Sequence, residues 1–337
     1  MDRSGDSLHD AYTRLSHSGQ PHLAPGGLAK MAEFDIRFSG YQGPRSVHNR
    51  AVGVFAESIS GALGGRVNLE HVLNITEQGH KAADLLEMVA TGETTLCYFS
   101  SSYLAGKVPE VALFDLPFLI RDRSQGHAML DGPLGRLIIE KMAEVADYRI
   151  VAWWDNGFRH FSNGVRPIRT PGDCEGLKIR TLFSELQQES FAAMGFTPVP
   201  LDVAELPGAC ADGTVDAQEN PLTNTFNFAI HEHHHWITRS GHFFGPCVVL
   251  AHKATWDGWP SDVRDAVKSA LSQATAAQRS FAAQDDKEIV AKLEAAGNEI
   301  IDLSEDERSD FMAAVAQVVE RNLASFRDEL FEYLPKG

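Results

Sequence analysis

The segment from Ser261 to Ala296 contains neither proline nor glycine over 36 residues. It is rich in alanine and in charged and amide side chains, a composition typical of a helix. At about 1.5 Å per residue, a helix of this length reaches ~54 Å, well beyond the ~30 Å diameter of a small domain. Its apolar residues do not sustain a heptad repeat, so a coiled coil is not indicated. The segment predicts one long helix that braces two lobes and ends at Gly297.

Length and charge narrow the class of protein. A chain of 337 residues exceeds what one hydrophobic core usually serves, so two domains are expected. Acidic residues outnumber basic ones 46 to 30, for a net charge of −16, which argues against a nucleic-acid partner. No apolar run approaches the ~18 residues of a membrane span. The four cysteines lie far apart and without metal-site spacing, so we predict no disulfide and no metal site.

The N-terminal segment, residues 1–33, is polar and rich in glycine, serine and histidine. It lacks the apolar core of a secretory signal, so export cannot be inferred from it. We expect this segment to be disordered or extraneous to the fold.

Strand and helix patterns alternate in two similar units. Period-2 and helical patterns together indicate parallel strands covered by helices, that is, an α/β fold. The predicted strands of the first unit are Phe34 to Phe38, Arg66 to Leu73 and Thr94 to Phe99, with helices Ser46 to Ala62 and His80 to Thr91. Those of the second are Leu177 to Leu182, Thr197 to Leu201 and Val215 to Gln218, with helices Ser184 to Met194 and Ala204 to Asp212. After the long helix we expect a strand from Glu299 to Leu303 and a last helix that begins with the capping box of Ser304 and Glu307.

A set of short motifs allows the sequence to be compared with a known family. They are G-F-R and S-N within Gly157 to Asn163, R-P-I at Arg166, P-x-D-x-x-G-L-K-I-R from Pro171 to Arg180, M-G-x-x-P-V-P from Met194, and G-T-V-D-A-Q-E-N-P from Gly213. F-D-L-P-F at Phe114 and P-L-G at Pro133 precede them. In this order, from about Phe34 to about Phe326, the chain resembles the solute-binding proteins of TRAP (tripartite ATP-independent periplasmic) transporters.

The resemblance implies a two-lobed periplasmic-binding-protein-like α/β fold, with hinge strands and a long helix that spans both lobes. We place lobe one at 34–155 plus 246–285 and lobe two at 156–245 plus 286–325, with a C-terminal tail or helix end at 326–337. Gly157 and Gly245 lie where the hinge strands would pass between the lobes.

The resemblance also implies ligand-binding residues. The arginine of the G-L-K-I-R strand, which binds the substrate carboxylate in this family, corresponds to Arg180. A second arginine corresponds to Arg159 and an asparagine to Asn220. The chemistry agrees, because a planar guanidinium offers two parallel N–H donors to one carboxylate.

Further contacts are expected where strands of lobe one end and from apolar walls. Tyr41 and Gln42 follow the first strand, and Ser101 and Tyr103 follow the third. Phe118 and Trp153 are candidates for the walls, although a place in the core is the more ordinary role of such residues.

The resemblance implies a helix of lobe two for the run from His231 to His235. The run matches H-E-x-x-H, which on a helix places two histidines on one face for zinc, with Glu232 as general base. Catalytic zinc needs a third protein ligand, and Thr238 stands where the extended pattern requires glycine. A zinc-dependent hydrolase is therefore the alternative rather than the prediction. We expect no catalytic residues, no bound metal and no cofactor.

The predicted function is capture of a small organic carboxylate and its delivery to the membrane-embedded TRAP permease subunits, a secondary transport system. The resemblance implies a periplasmic, monomeric protein that is not an enzyme. A carboxylate-sensing module that passes its ligand signal to a receptor is a further alternative.

Overall fold

A computed structural model of the protein describes residues 32–326 and 328–334. Of the predicted N-terminal segment, residues 1–33, positions 1–31 lie outside the described part of the chain. The strands are β1 (Phe34–Ser39), β2 (Val67–Val72), β3 (Leu96–Ser100), β4 (Tyr148–Asn163), β5 (Lys178–Thr181), β6 (Thr197–Pro200), β7 (Ala217–Asn220), β8 (Trp236–His252) and β9 (Glu299–Asp302). The helices are α1 (Val47–Leu63), α2 (Asp84–Thr91), α3 (Arg123–Asp131), α4 (Pro133–Val145), α5 (Glu185–Ala193), α6 (Leu206–Ala211), α7 (Leu222–Asn227), α8 (Lys253–Gly258), α9 (Ser261–Ala295) and α10 (Glu305–Ala324).

The strands form one mixed sheet in the order β2-β1-β3-β8-β4-β7-β5-β6, with β9 paired to β8. Strands β1, β2 and β3 are parallel, and so are β5, β6 and β7. The long strands β4 and β8 run antiparallel to each other and join the two groups. The predicted α/β units are confirmed, while the predicted parallel sheet is mixed because two antiparallel strands pass through its centre.

Each parallel group has its own hydrophobic core. The larger cluster contains Phe38, Phe55 and Trp154, and the second contains Phe161, Ile179 and Phe191. The last helix, α10, contributes Phe311 and Val315 to the second cluster and Val318 to the first. This arrangement is that of two lobes, and the residue boundaries given above stay a prediction.

The predicted long helix is confirmed as α9, which ends one residue earlier than expected. Its buried stripe begins with Val263 and Val267 in the larger cluster and ends with Ile289 and Leu293, which pack with Ile237 of β8. Gly297 follows with a φ of 94°, the left-handed conformation that glycine adopts readily after a helix. The capping box of Ser304 and Glu307 is also confirmed at the start of α10.

The middle of α9 is fastened to strand β4. The Gln278 side chain, fully buried, accepts from the Asp155 N–H at 2.8 Å and donates to the Asp155 carbonyl at 2.6 Å. Immediately after Asp155, the β4–β8 ladder shifts register, and Gly157 has a φ of 100°. Few residues other than glycine adopt that angle. The position coincides with the predicted hinge, which stays a prediction.

No helix in the described ranges is both long enough and apolar enough to cross a membrane. The four cysteines, Cys97, Cys174, Cys210 and Cys247, are unpaired and buried.

Gln278→Ala tests the attachment of α9. The substitution leaves two buried backbone groups of Asp155 without their partner, so we expect a loss of roughly 2–4 kcal/mol in the free energy of unfolding. Urea denaturation measures the loss. Gln284→Ala, an exposed position on the same helix, serves as the control and should change stability by less than about 0.5 kcal/mol. Equal effects of the two substitutions would contradict the assigned role.

Candidate functional site

A small cavity lies where strands of both groups end. Parallel strands present their carboxyl ends at one edge of a sheet, which is where α/β proteins bind ligands. The lining residues are Tyr41, Ala82, Phe99, Ser100, Tyr103, Asn156, Arg159, Arg180, Leu182, Val203, Asn220, Asn224 and Phe228. The lining therefore combines two guanidinium groups with amides, hydroxyls and apolar side chains.

Arg180 lies on β5 and is fully buried. Its Nε donates to the Leu201 carbonyl at 2.9 Å, which fixes the plane of the guanidinium. Its Nη2 is buried without a hydrogen-bond partner, and no carboxylate of the described residues forms an ion pair with it. Burial lowers the pKa of Arg180, but a guanidinium remains protonated in proteins. Arg180 is thus a buried cation with an uncompensated edge.

Arg159 lies on β4 and is held differently. Its Nε and Nη2 both donate to the carboxylate of Glu219 on β7, and Nη2 also donates to the Glu219 carbonyl at 2.9 Å. Both side chains are buried. The Arg159 guanidinium keeps the pKa of Glu219 low despite the desolvation that raises it, so Glu219 is ionised. One of the two arginines that line the cavity is already neutralised by the protein.

Asn220 is oriented by a chain of side-chain hydrogen bonds. Its Oδ1 accepts from Arg159 Nη2 at 3.2 Å, and its Nδ2 donates to Gln218 at 2.6 Å. Gln218 in turn donates to the Ser162 hydroxyl at 2.6 Å. Because an amide has two N–H bonds, one Asn220 N–H is left for a ligand.

His242 lies behind the Arg159–Glu219 pair. Its Nε2 is 3.4 Å from Glu219 Oε2. The ring stacks on Phe161 at 4.4 Å between centroids. Burial lowers the pKa of His242 more than Glu219 raises it, so the imidazole is neutral and adds no charge to the site.

Tyr41 and Tyr103 are the two tyrosines that line the cavity. Both pack on Phe99, with ring centroids 5.4 Å and 4.8 Å from it. Desolvation raises the pKa of both phenols, and Arg180 opposes this rise at Tyr103. The two phenols are therefore neutral hydrogen-bonding groups.

The structure brings five of the nine predicted residues to the cavity and leaves four outside its lining. Tyr41, Tyr103, Arg159, Arg180 and Asn220 line it. The others are placed as follows: Gln42 is buried beside α1, Ser101 donates to the Pro246 carbonyl at 3.1 Å, Phe118 belongs to the second core cluster, and Trp153 packs on Phe114.

Several lining residues were not predicted. Leu182 follows Arg180 by two positions, so strand periodicity alone identifies it as a neighbour on the same face. Asn156 and Asn224 approach each other at 3.4 Å from a hinge strand and a short helix. No sequence pattern identifies these two, because their meeting depends on how β4 and α7 pack.

The histidine run is a correction to the sequence analysis. We expected it on a helix, but only Ile230–Glu232 form a single 3-10 turn, and β8 begins at Trp236. His231 and His235 consequently do not share a helical face, and His231 stacks on Phe226 at 4.5 Å. The described residues contain no cluster of three or more metal-ligating side chains. The geometry that a zinc hydrolase requires is not formed.

A buried carboxyl lies next to the cavity. Asp115 Oδ1 accepts from Ser102 at 2.8 Å and from Gln187 at 3.1 Å, and Ser184 lies 3.5 Å from Oδ2. Ser102 belongs to the segment after β3, whereas Ser184 and Gln187 belong to the start of α5. Asp115 therefore links the segment after β3 to the start of α5. Desolvation raises its pKa to about 6.

Comparison with known proteins places the chain in a family. Residues 38–325 match the family model of the bacterial extracellular solute-binding proteins, family 7. A solute-binding protein of Verminephrobacter eiseniae is 32% identical over 80% of this chain and 78% of its own length. The 2,3-diketo-L-gulonate-binding periplasmic protein of Escherichia coli is 28% identical over 94% of this chain and 92% of its own.

A solved structure gives the same result for the fold. A TRAP periplasmic solute-binding protein of Sulfurospirillum deleyianum, with bound succinate, superimposes with a TM-score of 0.84 and 28% identity, over 90% of this chain and 98% of its own. The predicted two-lobed fold, and the prediction that the chain is not an enzyme, are confirmed by this family membership.

The pH dependence of stability tests the buried environment assigned to the Asp115 carboxyl. Its raised pKa means that ionisation costs the folded state more than the unfolded one, so its contribution to stability is present below pH ~4 and is lost as the pH rises through about 6. The free energy of unfolding of Asp115→Asn, taken relative to the wild type, should rise by roughly 1–3 kcal/mol between pH ~4 and pH ~7. Urea denaturation measures this change. For the exposed control Asp310→Asn the difference should stay within about 0.5 kcal/mol. A stability difference between Asp115→Asn and the wild type that does not change with pH would contradict the raised pKa assigned to Asp115.

Proposed function

This chain belongs to family 7 of the bacterial extracellular solute-binding proteins, and we propose that it captures a small organic carboxylate between its lobes for a TRAP transporter. The observation that carries this proposal is the uncompensated edge of Arg180. A buried charge without a partner is strongly destabilising, whereas two parallel charge-assisted hydrogen bonds to a carboxylate compensate it. A carboxylate is the planar anion that fits this edge.

The remaining polar groups fit the rest of such a ligand. Asn220 is oriented by its hydrogen bond to Gln218, and Arg159 is held rigid by Glu219. Preorganised donors bind more tightly because less conformational freedom is lost on binding. The relatives bind acids of two kinds, a diketo sugar acid and a C4 dicarboxylate, succinate. The common element of these ligands is the carboxylate that we assign to Arg180.

The two sides of the cavity belong to different lobes in our division. Arg159, Arg180 and Asn220 lie in lobe two, and Tyr41 and Tyr103 in lobe one. A ligand that contacts both sides stabilises the closed state by its higher affinity for that state. Closure excludes water from the Arg180–carboxylate pair, which strengthens the pair. Rotation at Gly157 and Gly245 would open the cleft for release.

We further infer a periplasmic location, a monomeric state and the membrane-embedded TRAP permease as the partner that receives the acid. These inferences rest on the family, whose described member in Escherichia coli is a periplasmic binding protein. A sensing role would use the same cavity, so the partner rather than the ligand distinguishes the two functions.

Arg180→Lys tests the anion site. Lysine keeps the charge but cannot form two parallel hydrogen bonds, so affinity for the tightest-binding acid of a screening panel should fall by roughly 2–4 kcal/mol. Isothermal titration calorimetry measures the change. Arg239→Lys, an exposed ion-pair position on β8, is the matched control and should bind as the wild type does. An Arg180→Lys protein within twofold of wild-type affinity would refute the assignment.

Small-angle scattering tests lobe closure. With a saturating acid the wild-type radius of gyration should decrease, while Arg180→Lys at the same acid concentration should keep its unliganded radius. Tyr41→Ala should weaken the compaction more than it weakens binding, because its contact is made only after closure. An unchanged radius in the saturated wild type would rule out closure as the mechanism.

A further inference from the structure

We propose that His48 is a positioning residue of the carboxylate site, because it holds the side-chain amide of Asn156 with its N–H groups toward the cavity. Asn156 lies on β4 and lines the cavity, whereas His48 lies on α1 and does not line it. The inference rests on the proposed function. It assigns to that site a residue that acts on the ligand through another side chain.

The position of the proton on the His48 ring follows from its neighbours. His48 Nε2 lies 3.0 Å from Asn156 Oδ1. An amide oxygen only accepts, so Nε2 carries the proton and donates it. Burial lowers the pKa of His48 to about 4, so the ring is neutral at neutral pH and its other nitrogen, Nδ1, is an acceptor. Nδ1 has a matching donor in the Gln278 side-chain amide, 3.4 Å away.

The packing of the ring sets the direction of this N–H bond. His48 is fully buried and stacks on Trp154, with the ring planes 4° apart and the centroids 5.8 Å apart. It also stacks on Tyr98, with the centroids 4.9 Å apart. Cys247 Sγ, a weak acceptor, lies 3.6 Å from Nε2. A rotation of the ring away from Asn156 would break these contacts, so the larger core cluster, to which Trp154 and Tyr98 belong, fixes the donor.

The Asn156 amide consequently offers donors to a ligand. Its Oδ1 accepts from His48 Nε2 at 3.0 Å and from Asn224 Nδ2 at 3.4 Å, which uses both lone pairs of the oxygen. Its Nδ2 has no acceptor among the residues that the structure describes, although Asn156 lines the cavity. Two N–H bonds at the wall of the cavity suit an oxygen of a bound acid. The reversed amide would present its oxygen instead, and that oxygen would repel a carboxylate.

His48→Phe tests the orientation of the amide. Phenylalanine keeps an aromatic ring against Trp154 and Tyr98 but has no N–H for Asn156. The probe is the tightest binder among succinate, galactonate, D-glucuronate and pyruvate, and calorimetry on the full chain measures its affinity. We expect affinity to fall about tenfold in His48→Phe. His48→Gln restores an N–H donor on a side chain of similar length, so its affinity should lie within about threefold of the wild type.

A double-mutant cycle separates positioning from a purely structural role. If His48 acts through Asn156, the variant His48→Phe/Asn156→Ala should bind within about twofold of Asn156→Ala alone. A further loss of about tenfold in the double variant would show independent effects and overturn the proposal. Wild-type affinity in folded His48→Phe or in Asn156→Ala would overturn it as well.

His71 provides the matched control. Its Nε2 lies 3.2 Å from Asn49 Oδ1, so it joins a histidine to an asparagine as His48 does. Asn49 does not line the cavity, and its Nδ2 donates to three backbone carbonyls that hold it in place. His71→Phe should therefore change affinity by less than about twofold.

The tautomer of His48 can be measured in the unaltered protein. In ¹⁵N NMR spectra at neutral pH the His48 ring should carry its proton on Nε2, and the signal is identified by its loss in His48→Gln. A proton on Nδ1 would overturn the proposal. If His48→Phe does not fold, this tautomer and the affinity of Asn156→Ala decide the proposal together.

The outcomes also distinguish this proposal from the function on which it rests. Acid binding that depends on Arg180 but not on His48 would overturn the role of His48 and leave carboxylate capture intact. Binding of none of the four acids would overturn carboxylate capture, and the role of His48 with it.

Discussion

The buried ion pair of Arg159 and Glu219 is the interaction on which the arrangement of the site depends. It joins strand β4 to strand β7, and through the Asn220–Gln218–Ser162 hydrogen bonds it fixes the polar face of the second lobe. Burying two charges costs hydration, and the pair is retained only because its geometry is good and its remaining donors are used. Its presence leaves Arg180 as the cation that a ligand can reach.

The same strand connects this site to the proposed closure of the lobes. Three consecutive residues of β4 have different tasks: the Asp155 backbone bonds to Gln278 of α9, Asn156 lines the cavity, and Gly157 carries the unusual backbone angle. A ligand that contacts Asn156 would therefore touch the chain at the proposed point of rotation. Helix α9 restrains that point from behind, because its two ends pack in different clusters.

The sequence predicted features that depend on one segment and failed where several segments meet. Helix α9 follows from an uninterrupted stretch without glycine or proline, and the start of α10 from Ser304 and Glu307. Arg180 was predicted because its motif is contiguous. The ion pair of Arg159 with Glu219 was not predicted, because the two residues are sixty positions apart. An arginine in a motif does not show which carboxylate of the protein it binds. The histidine run was placed on a helix because the resemblance implied one, but only Ile230–Glu232 form a short turn before β8 begins.

The four buried, unpaired cysteines have a practical consequence for labelling the protein. Burial raises the pKa of every one of these thiols, to about 12 for Cys210 and Cys247, so the reactive thiolate is suppressed. Because these four cysteines form no disulfide, the folded chain has no disulfide to form or to reduce. A cysteine introduced on the surface of each lobe would then accept a fluorescent dye while the native thiols stay silent, which makes opening and closing visible in single molecules.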